Sequence, residues 1–276
     1  MATDKVRLTA EKATLLATLY GRALDARAPH PILADTLSLE VARRIDHDFR
    51  RTGMTRGSAA AVALRARFLD GWAREFLARH PEASVLHLGC GLDTRAHRLD
   101  PPAGVDWYDV DYPDVIELRR RLFPERPRQT VVGASVTDSG WLDRVPRDKP
   151  VLVVAEGLLY YLDRDGGRAL LRRIAEGFPS GQLIFDALTP RGLRLQWLNP
   201  PVRRAGATMH WAVDGTADLL SISPMLRCLD ALSVFDIDGY DRLPGPYRLL
   251  VRVAGRVPAV RRLACFYRLE FGDQRP

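Results

Sequence analysis

Cysteine is scarce in this chain: Cys90, Cys228 and Cys265 are the only three. Thiols so few and so far apart form no disulfide framework and no metal-gripping pair, which excludes a stapled secreted scaffold and a zinc module. Lysine is scarcer than the charge suggests. The 41 basic residues include only Lys5, Lys12 and Lys149, so arginine carries the formal charge of +7. Those arginines are scattered, with short clusters at Arg119–Arg121, Arg172-Arg173, Arg203-Arg204 and Arg261-Arg262. A continuous basic tract interleaved with aromatics is missing, which argues against a nucleic-acid partner. No apolar run reaches the ~20 residues that span a bilayer. Met1 to Glu11 lacks the charged-then-apolar order of a secretory leader. The expectation is a cytoplasmic protein without metal, membrane or nucleic acid, its arginines a solvated surface.

What is present suits a globular enzyme. The 276 residues are 46% hydrophobic and 27% charged, enough for one large core with a helical addition. Residues 1–80 read as helices: Ala13 to Leu24, Leu37 to Ile45, and a long one opened by Ser58 and closed before Pro81. On the last, Leu69, Trp72 and Phe76 share one face. From Ser84 onward strands and helices alternate. Strands are expected at 84–89, 105–110, 130–133, 151–155 and 183–185. Helices are expected over Pro113–Leu122, over Trp141–Val145, and from an Asp163 cap through Gly177. Such alternation predicts a mostly parallel sheet with helices on both faces, and ligands at the C-terminal strand ends. Further on, Trp211–Leu219 reads as a helix capped by Asp214, Leu226–Ile237 as a strand, Pro246–Val257 as a helix and Leu263–Phe271 as a last strand. The organisation is an N-terminal helical cap, 1–80, on a Rossmann-like core, 81–276, forming one structural unit.

The chemistry concentrates in residues 84–114. Val85, Leu86 and Leu88 end in Gly89-Cys90-Gly91, a buried strand running into a turn where the chain approaches a ligand closely. Twenty residues after Gly91, Asp111 ends a second apolar run, where an acid receives ribose hydroxyls in a doubly wound sheet. Asp109 is an alternative two residues earlier. The third glycine of the dinucleotide fingerprint is replaced by Thr94. That disfavours an NAD-dependent oxidoreductase and favours S-adenosylmethionine, which has a ribose and adenine but no pyrophosphate.

The stretches LGCGLDTRAHRL, WYDVDYPDVIELRR and VLVVAEGLLYYL resemble the leucine carboxyl methyltransferase family, and within it the branch of polyketide O-methyltransferases. The resemblance implies a class I S-adenosylmethionine-dependent methyltransferase with its N-terminal helices lying over the cofactor. It assigns Arg65 to the methionine carboxylate, with Arg22 in reach of the same region, and Glu156 to the ammonium. Asp111 takes the ribose, and Ser135-Val136 the adenine. Ser135 replaces the aspartate common in the family, with Asp138 near enough to compensate. Tyr161 falls near the transfer centre.

A carboxylate acceptor needs no base, whereas a hydroxyl benefits from one, commonly histidine. Of six histidines, His210 and His30 are the candidates, and His87 reads as a packed strand residue. No clear His–acid pair is evident, which favours a carboxylate. The reading is an O-methyltransferase acting on a small, aromatic, polyketide-like acceptor. Its rivals are methylation of a protein C-terminal carboxylate and a cofactor-binding regulatory protein without turnover.

Overall fold

The computed structural model describes residues 4–5, 10–243 and 245–272. Its centre is a seven-stranded sheet built from β1 (Ser84–Leu88), β2 (Asp106–Asp111), β3 (Gln129–Gly133), β4 (Val151–Ala155), β5 (Ser180–Leu188), β6 (Arg227–Ser233) and β7 (Ala264–Gly272). The spatial order is β3-β2-β1-β4-β5-β7-β6. β1 pairs in parallel with both β2 and β4, β2 with β3, and β4 with β5, whereas β7 runs antiparallel between β5 and β6. The strand order reverses between β1 and β4, the switch point where open α/β sheets bind ligands. Every residue of β1 and of β4 is buried, as expected of strands covered on both faces.

Two cores fill the two faces. On one, α6 (Arg164–Gly177) lays Leu170, Leu171 and Ile174 against Val151, Val153 and Phe185. On the other, α3 (Arg56–Arg79) lays Leu69, Trp72 and Phe76 against Val85, Trp107, Val154 and Ile184. The long N-terminal helix therefore shares a core with the sheet. α1 (Thr14–Ala26) and α2 (Thr36–Arg44) form a third cluster with Leu92 from the glycine turn and Leu118 and Leu122 of α5 (Pro113–Leu122).

Several boundaries differ from expectation for local reasons. α3 is capped by Thr55, not Ser58; Ser58 is the reciprocal partner in a capping box. β5 extends beyond the expected 183–185 because β7 pairs with it from Ser180 to Leu188. Gly181 is required there, since a Cβ would meet the Val151 carbonyl oxygen at 2.3 Å. The helix expected over Trp211–Leu219 shrinks to Thr216–Leu220, and Gly215, at φ 80°, precedes it in place of an Asp214 cap. Trp211 instead packs on α6, where a Cβ on Gly167 would lie 2.3 Å from its ring. The short helices α4 (Arg95–Leu99), α7 (Pro190–Arg194), α8 (Pro200–Ala205) and α9 (Thr216–Leu220) precede α10 (Gly245–Ala254), the helix expected beyond β6, which ends at Ala254 short of the expected Val257.

Candidate active site

At the C-terminal ends of β1 and β2 the chain makes the expected turn. Gly89 and Gly91 sit at φ 59° and 49°, left-handed backbone that glycine adopts at little cost. Asp111 closes the turn from the neighbouring strand. Its Oδ2 accepts from the Gly91 N–H at 2.7 Å and its Oδ1 from the Tyr112 N–H at 2.7 Å. Two bonds leave further lone pairs on the carboxylate for hydroxyl donors. Burial pushes the Asp111 carboxyl above its ordinary range, and these backbone N–H groups counteract part of that.

Asp109 has another role. It is fully buried, accepts from His87 Nδ1 at 2.8 Å and Trp107 Nε1 at 3.0 Å, and receives Arg119 and Gln129 at 2.6 Å each. A His–acid pair thus exists, contrary to expectation, but at 2% exposure His87 is a strut inside the sheet. Arg119 is likewise not a solvated surface arginine. It is 2% exposed and clamps the turn through the carbonyls of Gly91 and Asp93, both at 2.8 Å. Its spacing from Val115 and Leu122 on one helical face was the available signal.

Behind the turn, Arg95 is completely buried. Its guanidinium donates to Asp70 at 2.7 Å and to Glu156, and stands 3.7 Å from Asp93. Arg98 ties the same Asp70 and Asp93 together. Arg22 is drawn into this cluster, bonding the Leu92 carbonyl at 3.0 Å and lying 3.6 Å from Asp93, so it supports the turn from below. Asp93-Thr94-Arg95 was conspicuous in sequence, but which carboxylates Arg95 pairs with depends on residues far apart in the chain.

Glu156 follows β4 directly, and its side chain is 4% exposed. One oxygen accepts from Arg95 and the other from Arg65 Nε at 2.9 Å. Burial alone would raise the Glu156 carboxyl, but the Arg95 and Arg65 charges outweigh it and hold it below its ordinary range. Arg65 also reaches Asp186 and the Tyr160 hydroxyl, both at 3.3 Å. Asp186 in turn accepts the Gly157 N–H at 2.6 Å. Gly157 takes φ 70°, left-handed backbone that favours glycine.

A cleft of about 590 Å³, counting space open to solvent, runs over these strand ends. Gly89, Asp111, Ser135, Val136, Gly157 and Tyr161 line it from the sheet side. Lys12, Thr14 and Leu15 line it from the N-terminal segment, and Leu15 touches the place a Gly91 Cβ would occupy. Ser135 bonds Thr137 at 2.8 Å; Asp138 is exposed and absent from the lining. His210 is exposed, outside the lining, and its backbone N–H holds the Tyr160 carbonyl at 2.7 Å. His30 is exposed on the turn after α1. The described residues hold no cluster of metal-ligating side chains and no helix long and apolar enough to cross a membrane.

This strand order, with a glycine turn at the switch point and an acid on the next strand, is the architecture of a class I S-adenosylmethionine-dependent methyltransferase. The chain belongs to the leucine carboxyl methyltransferase family, whose model matches residues 15–175. It is 49% identical over 233 residues to the tetracenomycin polyketide synthesis O-methyltransferase TcmP of Streptomyces glaucescens, covering 84% of this chain and 86% of that one. It is 37% identical to the S-adenosyl-L-methionine-dependent methyltransferase dpfgK of Gibberella zeae, covering 97% of each. A solved Thermobifida fusca protein assigned as a methyltransferase shares the fold, with a TM-score of 0.61 at 16% identity over 92% of this chain and 94% of that one. The protein is therefore an S-adenosylmethionine-dependent O-methyltransferase, and the NAD-dependent reading falls.

Proposed function

We propose that the enzyme esterifies a carboxylate on a small, aromatic, polyketide-like acceptor, a step of secondary metabolism. The observation that carries the site assignment is the placement of opposite functions on adjoining strand ends around one turn. Asp111 stands on one side with spare acceptor capacity, and Arg65 and Glu156 on the other as a cation and an anion. S-adenosylmethionine matches that order, with a ribose in its middle and a zwitterionic amino acid at one end.

The residues fit that group. Gly89 and Gly91 make a cradle that a Cβ would fill, since it would press on Leu158 at 2.8 Å and Leu15 at 2.5 Å. Asp111 receives the ribose hydroxyls, Ser135 and Val136 face the adenine, Glu156 takes the ammonium and Arg65 the carboxylate. When bound, the cofactor supplies a methyl group activated by a sulfonium. The chain's own task is alignment and exclusion of water. α1 and Leu15 cover the turn as a lid, and the N-terminal helices act as the cap. Tyr161 borders the cleft and orients the acceptor.

A carboxylate is ionised near neutral pH and attacks without a base. That agrees with a lining, among the described residues, that contains no histidine. His210 would serve as base only for a hydroxyl acceptor. The identity to a polyketide enzyme supports a small molecule over a protein C-terminus.

The test is calorimetric titration of S-adenosylmethionine and S-adenosylhomocysteine into wild type and Asp111→Ala, followed by transfer assays on aromatic acids. Binding that the substitution abolishes, with a product that mild alkali hydrolyses to methanol, supports the reading. Binding with an alkali-stable ether product refutes the carboxylate assignment, and binding untouched by Asp111→Ala refutes the site.

A further inference from the structure

Helix α10 (Gly245–Ala254), between β6 and β7, is the least covered apolar element among the described residues. One third of it faces the protein. The Tyr247 ring fills the space where a Cβ on Gly57 would lie, and Val251 packs on the core that α3 shares with the sheet. A second third carries Leu249, Leu250 and Val253, which are 61%, 63% and 52% exposed, continued by Val257 at 43%. The last third carries Arg248 and Arg252, both exposed and spaced i, i+4 in a row beside the apolar stripe, and exposed Arg256 follows in the turn that ends the helix. From Asp241 to Glu270 the sequence contains no acidic residue between its ends. None of the three arginines forms an ion pair among the described residues.

We infer that α10 is a docking helix that lays the enzyme on an anionic lipid bilayer. Exposed aliphatic side chains on a helix, flanked by arginines that form no ion pair among the described residues, match the two layers of such a surface. The apolar row enters the acyl boundary, and the guanidinium groups extend to the lipid phosphates. A second copy of the chain fits worse, because a two-fold contact would set one arginine row against another with no intervening carboxylate. A protein partner fits worse as well: the exposed stripe of Leu249, Leu250 and Val253 carries no aromatic anchor. The expectation of no membrane contact rested on spanning runs and on arginines scattered along the sequence. Helical spacing gathers two of them and the turn that follows adds a third, and attachment at a surface needs no spanning run. Gly57, beneath Tyr247, opens the helix that carries Arg65, so the docked face adjoins the element that holds the site.

The experiment is flotation of the full chain with vesicles of phosphatidylcholine alone or mixed with phosphatidylglycerol. The variants are Leu250→Asp/Val253→Asp and Arg248→Gln/Arg252→Gln/Arg256→Gln. Wild type is expected to float with the anionic vesicles at millimolar lipid and to stay behind with neutral ones. Each variant is expected to lose about tenfold or more in affinity while titrating S-adenosylhomocysteine as wild type does, which confirms that it is folded. No flotation of wild type, equal flotation on neutral vesicles, or undiminished flotation of both variants would overturn the inference. So would light scattering that shows a wild-type dimer made monomeric by Leu250→Asp/Val253→Asp, since a second copy would then cover the face.

Discussion

Arg65 Nε lies 2.9 Å from Glu156 Oε1, and Arg95 holds the carboxylate's second oxygen. The cation and anion assigned to the two charges of the cofactor's amino-acid end are thus paired with each other. A zwitterion entering between them replaces one ion pair by two. Arg95 would hold Glu156 in place if Arg65 turned away, although neither Arg65 nor Glu156 belongs to the cleft lining. The planar fork matters, since Arg65 serves Glu156, Asp186 and Tyr160 at once. Arg65→Lys is therefore expected to keep the fold and weaken S-adenosylhomocysteine binding by about tenfold or more, read by calorimetry. An unchanged Kd would remove Arg65 from the site.

Arg95→Met tests the support beneath. The guanidinium is completely buried against Asp70 and Glu156, so its removal leaves each of these buried carboxylates with one arginine in place of two, Arg98 for Asp70 and Arg65 for Glu156. The cost of breaking a buried pair is about 3–5 kcal/mol. Urea unfolding should show a lower midpoint at unchanged slope, with weaker cofactor binding in the surviving folded fraction. A midpoint near wild type would mean that the cluster is bypassed.

The alternation of elements and the glycine turn were legible because each rests on local pattern, whereas the strand order was not. Val85, Leu86 and Leu88 run into two glycines, and Val151 to Ala155 is apolar throughout. Arg95 and Arg119 were not legible as buried residues, because their partners come from α3, β2 and the turn itself, dozens of residues away. Thr55 and Ser58 are both good caps, and only the reciprocal bond decides between them. The start of β5 at Ser180 was hidden because pairing with β7 and β4 on its two sides, not apolar content, extends it. The exposure of α10 was equally invisible, since Pro246 to Val257 has the same apolar spacing as a covered helix.

The acid limb of stability follows from the same cluster. Burial would raise the carboxyls of Asp70, Asp93 and Asp109, but the arginines overrule it: Arg98 and Arg95 for Asp70, Arg98, Arg22 and Arg95 for Asp93, and Arg119 with His87 for Asp109. All three lie below the value near 4 that an unfolded chain would show. A carboxyl lowered on folding stabilises fully above its unfolded value and loses that contribution as pH falls through its folded one. Thermal melts should therefore hold from neutrality down to pH ~4 and drop steeply below. Arg95→Met should flatten that limb. A wild-type melting temperature independent of pH between about 2 and 5 would contradict this.

Gly91→Ala separates two demands on one glycine. At φ 49° an alanine is strained, and its Cβ would approach Leu15 Cδ2 to 2.5 Å. The backbone cost is about 1–2 kcal/mol, and displacement of Leu15 opens the lid. Cofactor affinity is expected to fall, and adding Leu15→Ala should restore stability in part but not affinity. Full recovery of binding in the double variant would show that the lid, not the turn, sets the affinity.

His210 decides between acceptor classes. Its imidazole is exposed and outside the cleft lining, and its backbone N–H holds the Tyr160 carbonyl, a contact that any residue but proline preserves. His210→Ala therefore leaves the geometry intact and removes only the base. With a carboxylate acceptor nothing has to be deprotonated, so kcat and KM should stay within about twofold of wild type across pH 6–8. With a hydroxyl acceptor that His210 deprotonates, the loss in kcat should be about a hundredfold or more. A fall in kcat well short of that would instead trace to Tyr160 and Tyr161, whose rings pack edge to face 4.9 Å apart beside the cleft.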